Sequence, residues 1–224
     1  MIDVEAIRQQ IRSAAQAAGR SEEDITLLGA SKYADVNQVY QAYQQGLTCF
    51  GENRSEGLLS KKDKLPDDIS WHFIGQLQTN KVKYIIDNVE LIHSLDRLSL
   101  ANELQKRAVA KQTSVNALVE IRMDDREARG GVLPEDAMSF LEQCASFDRI
   151  SIRGLMCVAP LGCTQKQTED CFAKMRNLFD KLSHACPDNA EMHILSMGMS
   201  HDFPLAIKHG ATLVRVGSAL FLNK

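Results

Sequence analysis

Short apolar runs alternate with longer amphipathic segments along almost the whole chain, and this alternation limits the possible folds more than any other feature. "ITLLGAS" (25–31) precedes the helix-like "NQVYQAYQQG", and "TCFGEN" (48–53) precedes "RSEGLLSKKDKL". "SWHFIG" (70–75) leads to "QTNKVKYIID", and "VELIHS" (89–94) to "DRLSLANELQKRAVAKQ". "SVNALVEIRM" (114–123) passes through Gly130-Gly131 to "LPEDAMSFLEQCASF", where Pro134 suits a helix start. "SIRGLMCVA" (151–159) precedes "TQKQTEDCFAKMRNLFDKLSHAC", "EMHILSMGM" (191–199) precedes "SHDFPLAIKHG", and "TLVRVGSALF" (212–221) closes the series. These are eight strand candidates separated by seven helix candidates. One more amphipathic helix stands in front, with Val4, Ile7, Ile11 and Ala14 at helical spacing.

Strand followed by helix at this spacing predicts parallel pairing through right-handed crossovers. Eight such units fit a closed (β/α)8 TIM barrel of the α/β class, a little shorter than the usual ~250 residues. A doubly wound open sheet is the alternative, but neither G-x-G-x-x-G nor G-x-x-x-x-G-K-[ST] occurs to support a nucleotide-binding version. With no Pro-, Gly- or Ser-rich linker, residues 1–224 are expected to form one barrel domain with an extra N-terminal helix.

Bulk properties exclude several classes of partner. A net charge of −3 gives no basic footprint for nucleic acid. Apolar stretches are far short of the roughly 20 residues a membrane span needs. The first residues lack the apolar segment of a signal peptide, and the six scattered cysteines contain no C-x-x-C pair, so a cytoplasmic protein with reduced thiols is expected. The six histidines show no metal-ligand spacing, so no metal site is expected, and His72 and His93 read as core or barrel-lining residues.

In such a barrel the functional site lies at the C-terminal ends of the strands. Lys32 ends the first strand, Asn53 the second, "SMGMSHD" (196–202) the seventh and "RVGS" (215–218) the eighth. The last two resemble an anion cup. Ser196 and Ser200 offer hydroxyls, Gly198 permits close backbone approach, and Ser200 or Asp202 suits a helix cap. Gly217 and Ser218 add backbone donors and a hydroxyl. Ordinary strand-to-helix turns have the same composition, so this reading stays open beside a structural one. Lys32 would be desolvated near other cations, lowering its pKa and freeing a nucleophilic amine, or it would be a snorkelling surface charge. An amine and a phosphate cup facing one another would suit pyridoxal phosphate, which has an aldehyde and a phosphate. Arg215, on an apolar strand, would either point into the barrel mouth or pair with an acid; beside a pyridine nitrogen it would keep that nitrogen unprotonated.

"GASKY", "FGEN", "WHFIGQLQTNKVK", "IHSLDR", "GLMCVAP", "LSMGMSHDF" and "GATLVRVGSALF" occur in that order between about residues 25 and 221. Together they resemble the YggS/PROSC family of pyridoxal phosphate homeostasis proteins. The resemblance implies a barrel similar to the N-terminal domain of alanine racemase, with pyridoxal 5'-phosphate (PLP) held as a Schiff base on Lys32. It also implies phosphate contacts from Ser196, Gly198, Ser200, Gly217 and Ser218, Arg215 near the pyridine nitrogen, and Asn53 lining the pocket. The sequence departs from the family pattern at Gln76, in "EARGG" (127–131) and at the C-terminal "FLNK".

The resemblance further implies a cytoplasmic, non-catalytic carrier or buffer of vitamin B6 that meets PLP-dependent apoenzymes transiently. A monomer is expected. The alternative is a PLP-dependent amino-acid racemase, which needs acid/base groups on both faces of its substrate. The related racemase takes one of these from an additional β-domain for which this chain has no residues. A Schiff-base aldolase is a third reading, disfavoured by the placement of the lysine and by the motifs.

Overall fold

A computed structural model describes residues 2–124 and 130–222. Eight strands form a closed barrel in sequence order: β1 Thr26–Ala30, β2 Cys49–Glu52, β3 Ser70–Phe73, β4 Leu91–Leu95, β5 Val115–Ile121, β6 Ile150–Cys157, β7 Ala190–Met199 and β8 Leu213–Val216. Neighbours pair in parallel, and β8 returns to β1 in a register running from Thr26 opposite Leu213 to Gly29 opposite Val216. Helices α1 Val4–Ala17, α2 Val36–Gln44, α3 Ser55–Lys62, α4 Val82–Ile85 and α5 Leu98–Lys111 belong to the first half of the chain. They are followed by α6 Ala137–Cys144, α7 Gln165–Ser183, α8 Phe203–Lys208 and α9 Ser218–Phe221. Among these, no helix is long and apolar enough to cross a membrane.

The expected (β/α)8 architecture with a leading helix is therefore present, and local chemistry explains most of its boundaries. Asp35 and Gln38 form a reciprocal capping box that starts α2, and Thr164 with Gln167 does the same for α7. Asp3 opens α1 by accepting the Ala6 N–H at 2.9 Å. On α1, Val4, Ile7, Ile11 and Ala15 are buried. Ala15 rather than Ala14 completes that line, because it sits four residues beyond Ile11.

Three boundaries differ from the sequence expectation. "TLVRVGSALF" is not strand throughout. The backbone leaves the sheet at Gly217 (φ −118°, ψ −74°), and Phe221 N–H donates to Gly217 O at 2.8 Å to close the turn of α9. Residues 78–87 break into a 3-10 turn at Thr79–Lys81 and the single turn of α4. In 200–210 only Phe203–Lys208 is helical, with Pro204 in the first turn, where its missing N–H is not needed. Residues 127–129 of "EARGG", and residues 223 and 224 of the C-terminal departure, lie outside the described residues.

The main core fills the space between the barrel wall and its helices. A small separate cluster of Leu91, Leu118 and Met156, with Val158 and Ile194 packed on it, brings together residues from β4, β5, β6 and β7. At Gly154 the strand itself depends on a missing side chain. Its φ is +144°, and a Cβ there would lie 1.9 Å from Ile194 O on β7. Gly154→Ala is expected to cost about 3 kcal/mol or more, read as a lower urea midpoint by circular dichroism, because the β6–β7 pairing must open to admit the methyl.

Candidate functional site

The C-terminal rim of the barrel encloses a cavity of about 520 Å³. Lys32, Asn53, Ser200, Arg215, Gly217 and Ser218 line it. Six of the eight residues singled out in the sequence therefore meet in one place. The volume lies within the range of small-molecule sites, ~300–1,000 Å³. Ile74, Val158, Met199 and Phe221 supply apolar wall, and Tyr33 and Leu161 stand exposed at its edge.

Lys32 lies two residues beyond the end of β1, in a turn whose Ala34 N–H donates to Ser31 O at 2.9 Å. Its side chain is exposed, with Nζ 4.8 Å from the centre of the Tyr33 ring. The desolvated amine expected from the sequence is thus not found, because the turn carries Lys32 past the buried strand to the open rim. Burial is confined to its neighbour. Ser31 is fully buried, and its Oγ donates to Glu52 Oε1 at 2.8 Å.

Glu52 belongs to a buried ion pair that the sequence reading missed. Lys61, on α3, donates to Glu52 Oε1 and also, at 2.6 Å, to Ser31 O. Both partners are nearly closed to solvent, at 7% and 2% exposure. The other Glu52 oxygen accepts the Asn53 N–H at 3.2 Å. One carboxylate therefore ties together the residues that precede Lys32 and Asn53. The legible signals were an acid inside the strand "CFGE" and a lysine three residues after the buried Leu58.

Asn53 contributes a buried Oδ1 that has no hydrogen-bond partner among the described residues. An amide oxygen left without a partner in a buried position is costly, and a donor on a bound molecule would satisfy it. Across the cavity, Ser200 Oγ accepts from Gly217 N–H at 3.1 Å and from Ala219 N–H at 3.2 Å. Two backbone donors thus converge on one oxygen, the arrangement that also suits an anionic oxygen. The β7 loop departs from the expected cup. Asp202 does not cap α8 through its side chain but turns back to accept the Met199 N–H at 2.5 Å, which places a carboxylate on that donor.

Ser196 and Gly198 are not brought to the cavity. Ser196 is fully buried, where its Oγ meets Arg215 and His93. Gly198 has φ +89°, and a Cβ there would meet Ala206 Cβ at 2.5 Å and Phe203 Cα at 2.9 Å, so its role is close packing of β7 on α8.

Arg215 reaches the cavity from inside the barrel and, among the described residues, is held by hydrogen bonds and not by an ion pair. Its Nη1 donates to Ser196 O at 3.0 Å and to Ser196 Oγ at 2.5 Å, and its Nη2 to Cys157 O at 2.8 Å. Burial lowers its pKa, opposed by Cys157, Glu120 and Asp202. His72 and His93 are indeed buried lining residues, joined by a 2.9 Å bond between His72 Nδ1 and His93 Nε2. Burial pushes His72 down to about 4, with Glu90 opposing, and pushes His93 well below the ordinary imidazole range.

Comparison with known proteins places this fold among relatives. The family model described as alanine racemase, N-terminal domain, matches residues 2–224. A pyridoxal phosphate homeostasis protein from Aquifex aeolicus is 42% identical over 216 residues, covering 96% of this chain and 94% of that one. One from Pasteurella multocida is 36% identical over 221 residues, covering 96% and 93%. The structure of PipY from Synechococcus elongatus with PLP bound superposes with a TM-score of 0.83 at 33% identity, covering 95% of this chain and 100% of that one.

Two outcomes follow from the buried charges. Lys61→Met leaves Glu52 buried without its counter-charge and is expected to cost about 3–5 kcal/mol in urea denaturation, much of it recovered by adding Glu52→Gln. For His72, the unfolded imidazole takes up a proton near pH 6.5 while the folded one resists to about 4. The unfolded chain then binds more protons as pH falls through this window, so stability present above pH 6.5 declines toward pH 4, by about 3 kcal/mol from His72. Urea midpoints measured across that range should fall, and His72→Gln should remove most of this share.

Proposed function

This chain belongs to the alanine racemase N-terminal domain family, and within it to the YggS/PROSC pyridoxal phosphate homeostasis proteins, and from that premise we propose that it carries or buffers PLP in the cell without turning over a substrate. When bound, the cofactor supplies an aldehyde that condenses reversibly with a primary amine. Lys32 is the amine for that bond, at the exposed lip of the cavity. The observation that carries the reading is that Lys32, Asn53, Ser200, Arg215, Gly217 and Ser218 line a single cavity, where Asn53 Oδ1 has no partner among the described residues.

The residues divide the work by chemistry. Gly217 N–H, Ala219 N–H and the Ser200 and Ser218 hydroxyls would hold the phosphate through hydrogen bonds. Arg215 would serve the pyridine nitrogen and, being a cation, would keep it unprotonated, so the cofactor would be a poor electron sink. Asn53 accepts a hydrogen bond from the bound molecule. In this reading Ser196 and Gly198 act behind the pocket and do not touch the phosphate.

Two features favour carriage over racemisation. The relatives that match along nearly their whole length are named homeostasis proteins. The exposed position of Lys32 also gives an incoming amine direct access to the site of attachment. An apolar rim of Tyr33, Leu161 and Leu222, exposed by 70%, 72% and 49%, surrounds the same opening and suits transient contact with an apoenzyme. We take the protein to be cytoplasmic and monomeric.

Purified protein given PLP is expected to turn yellow, and borohydride is expected to fix a pyridoxyl group on Lys32, identified by peptide mass spectrometry. Lys32→Ala should lose the colour while keeping its circular dichroism. A label on another lysine, or amino-acid α-proton exchange orders of magnitude above that given by free PLP, would overturn the reading.

A further inference from the structure

Six side chains form one hydrogen-bonded line through the barrel, from its N-terminal rim to the cavity. Glu90, exposed just before β4, accepts from Ser70 Oγ. Ser70 Oγ is 3.2 Å from His72 Nε2, and His72 Nδ1 is 2.9 Å from His93 Nε2. His93 Nδ1 is 3.1 Å from Ser196 Oγ, which lies 2.5 Å from Arg215 Nη1.

The two ends fix the direction of every bond between them. A guanidinium can only donate and a carboxylate can only accept. Ser70 can meet Glu90 only by donating to it, so a neutral His72 donates to Ser70 from Nε2 and accepts at Nδ1. The same sense passes through His93 to Ser196, whose hydroxyl donates to His93 Nδ1 while its oxygen accepts from Arg215. His93 must then carry its proton on Nε2 and donate it to His72 Nδ1. His72 in turn carries its proton on Nε2, facing Ser70, with Cys49 Sγ a more distant neighbour at 3.7 Å. The Ser70 hydroxyl proton goes to Glu90. While both imidazoles are neutral, all five bonds point the same way.

This arrangement accounts for a cation in an unusual setting. The hydrogen bonds of Arg215 go to uncharged oxygens, those of Ser196 and the Cys157 carbonyl. A chain of aligned dipoles presents its negative end to the guanidinium and its positive end to the Glu90 carboxylate, and such chains strengthen one another in a low-dielectric interior.

We propose that Ser196, His93 and His72 are positioning residues for Arg215: a one-way hydrogen-bond chain, anchored on Glu90 at the opposite rim, that fixes the orientation of the guanidinium in the cavity. Its effect on the cofactor rests on the reading given above, whereas the chain itself is a property of the protein alone.

Two measurements separate these levels. Nitrogen-15 NMR of the imidazoles in protein without PLP should find both His72 and His93 neutral and in the Nε2–H form at neutral pH. Ser70→Ala, which cuts the link to Glu90, should release both rings from that form. An Nδ1–H proton on either ring overturns the chain, whatever the protein binds. In protein loaded with PLP, Ser196→Ala and His93→Leu should keep the borohydride label on Lys32. They should also shift the visible absorption band and weaken PLP binding about tenfold, since a hydrogen bond to a charged group is lost. His93→Asn, which keeps an acceptor for Ser196, should recover most of both. Where His93→Leu does not fold, Ser196→Ala decides alone. An unchanged band with affinity within about twofold of wild type overturns the positioning role. Failure of the wild-type protein to bind PLP or label Lys32 would instead sink the cofactor reading, leaving the NMR result to judge the chain.

Discussion

The site depends first on the ion pair between Lys61 and Glu52. Two opposite charges held out of water are stable only when every remaining donor and lone pair finds a partner. Here that requirement recruits the Ser31 hydroxyl, the Ser31 carbonyl and the Asn53 N–H around one carboxylate. The ends of β1 and β2 are thereby fixed relative to each other, although both open into turns at the rim. Gly57 is part of the same constraint, since a Cβ there would lie 2.9 Å from Glu52 Oε2. Lys32 itself stands one residue beyond this network, exposed at the rim.

The barrel interior is divided by polarity. Leu91, Leu118 and Met156 make a small apolar cluster, while His72, His93, Ser196 and Arg215 form a polar column from β3, β4, β7 and β8. Inward-facing residues of a parallel barrel ordinarily pack in layers of branched apolar side chains. Replacing part of that packing with imidazoles is a sacrifice of hydrophobic burial. The return is a buried guanidinium with a defined orientation, which a flexible arginine in a solvated cleft would not have.

The fold was legible because alternating short and long segments leave few ways to bury a chain of this kind. The strand-end rule then placed Lys32, Asn53, Ser200, Arg215, Gly217 and Ser218 at one opening without any knowledge of contacts. It failed for Ser196 and Gly198 because β7 runs on to Met199, so these residues lie within the strand instead of in the loop beyond it. Position relative to the end of a strand was the quantity the sequence blurred. The polar column was hidden for another reason. Its members are separated by up to 143 positions, from His72 to Arg215, and only the barrel's closure brings them together. Desolvation of Lys32 was misjudged because a two-residue turn is enough to move a side chain from core to solvent.

The bonds from Gly217 and Ala219 to the Ser200 hydroxyl bear on how firmly any anion can be gripped there. Donors pointing into bare solvent or into an empty hollow would reward a phosphate with their full interaction. Donors already occupied reward it only with the difference between a charged acceptor and a neutral one. Anion binding at this rim would therefore be an exchange of partners, and on release the same N–H groups would return to the Ser200 oxygen. A grip built on such replacement is moderate by construction and relaxes without exposing unsatisfied backbone. Such a grip would suit a site that must surrender what it holds.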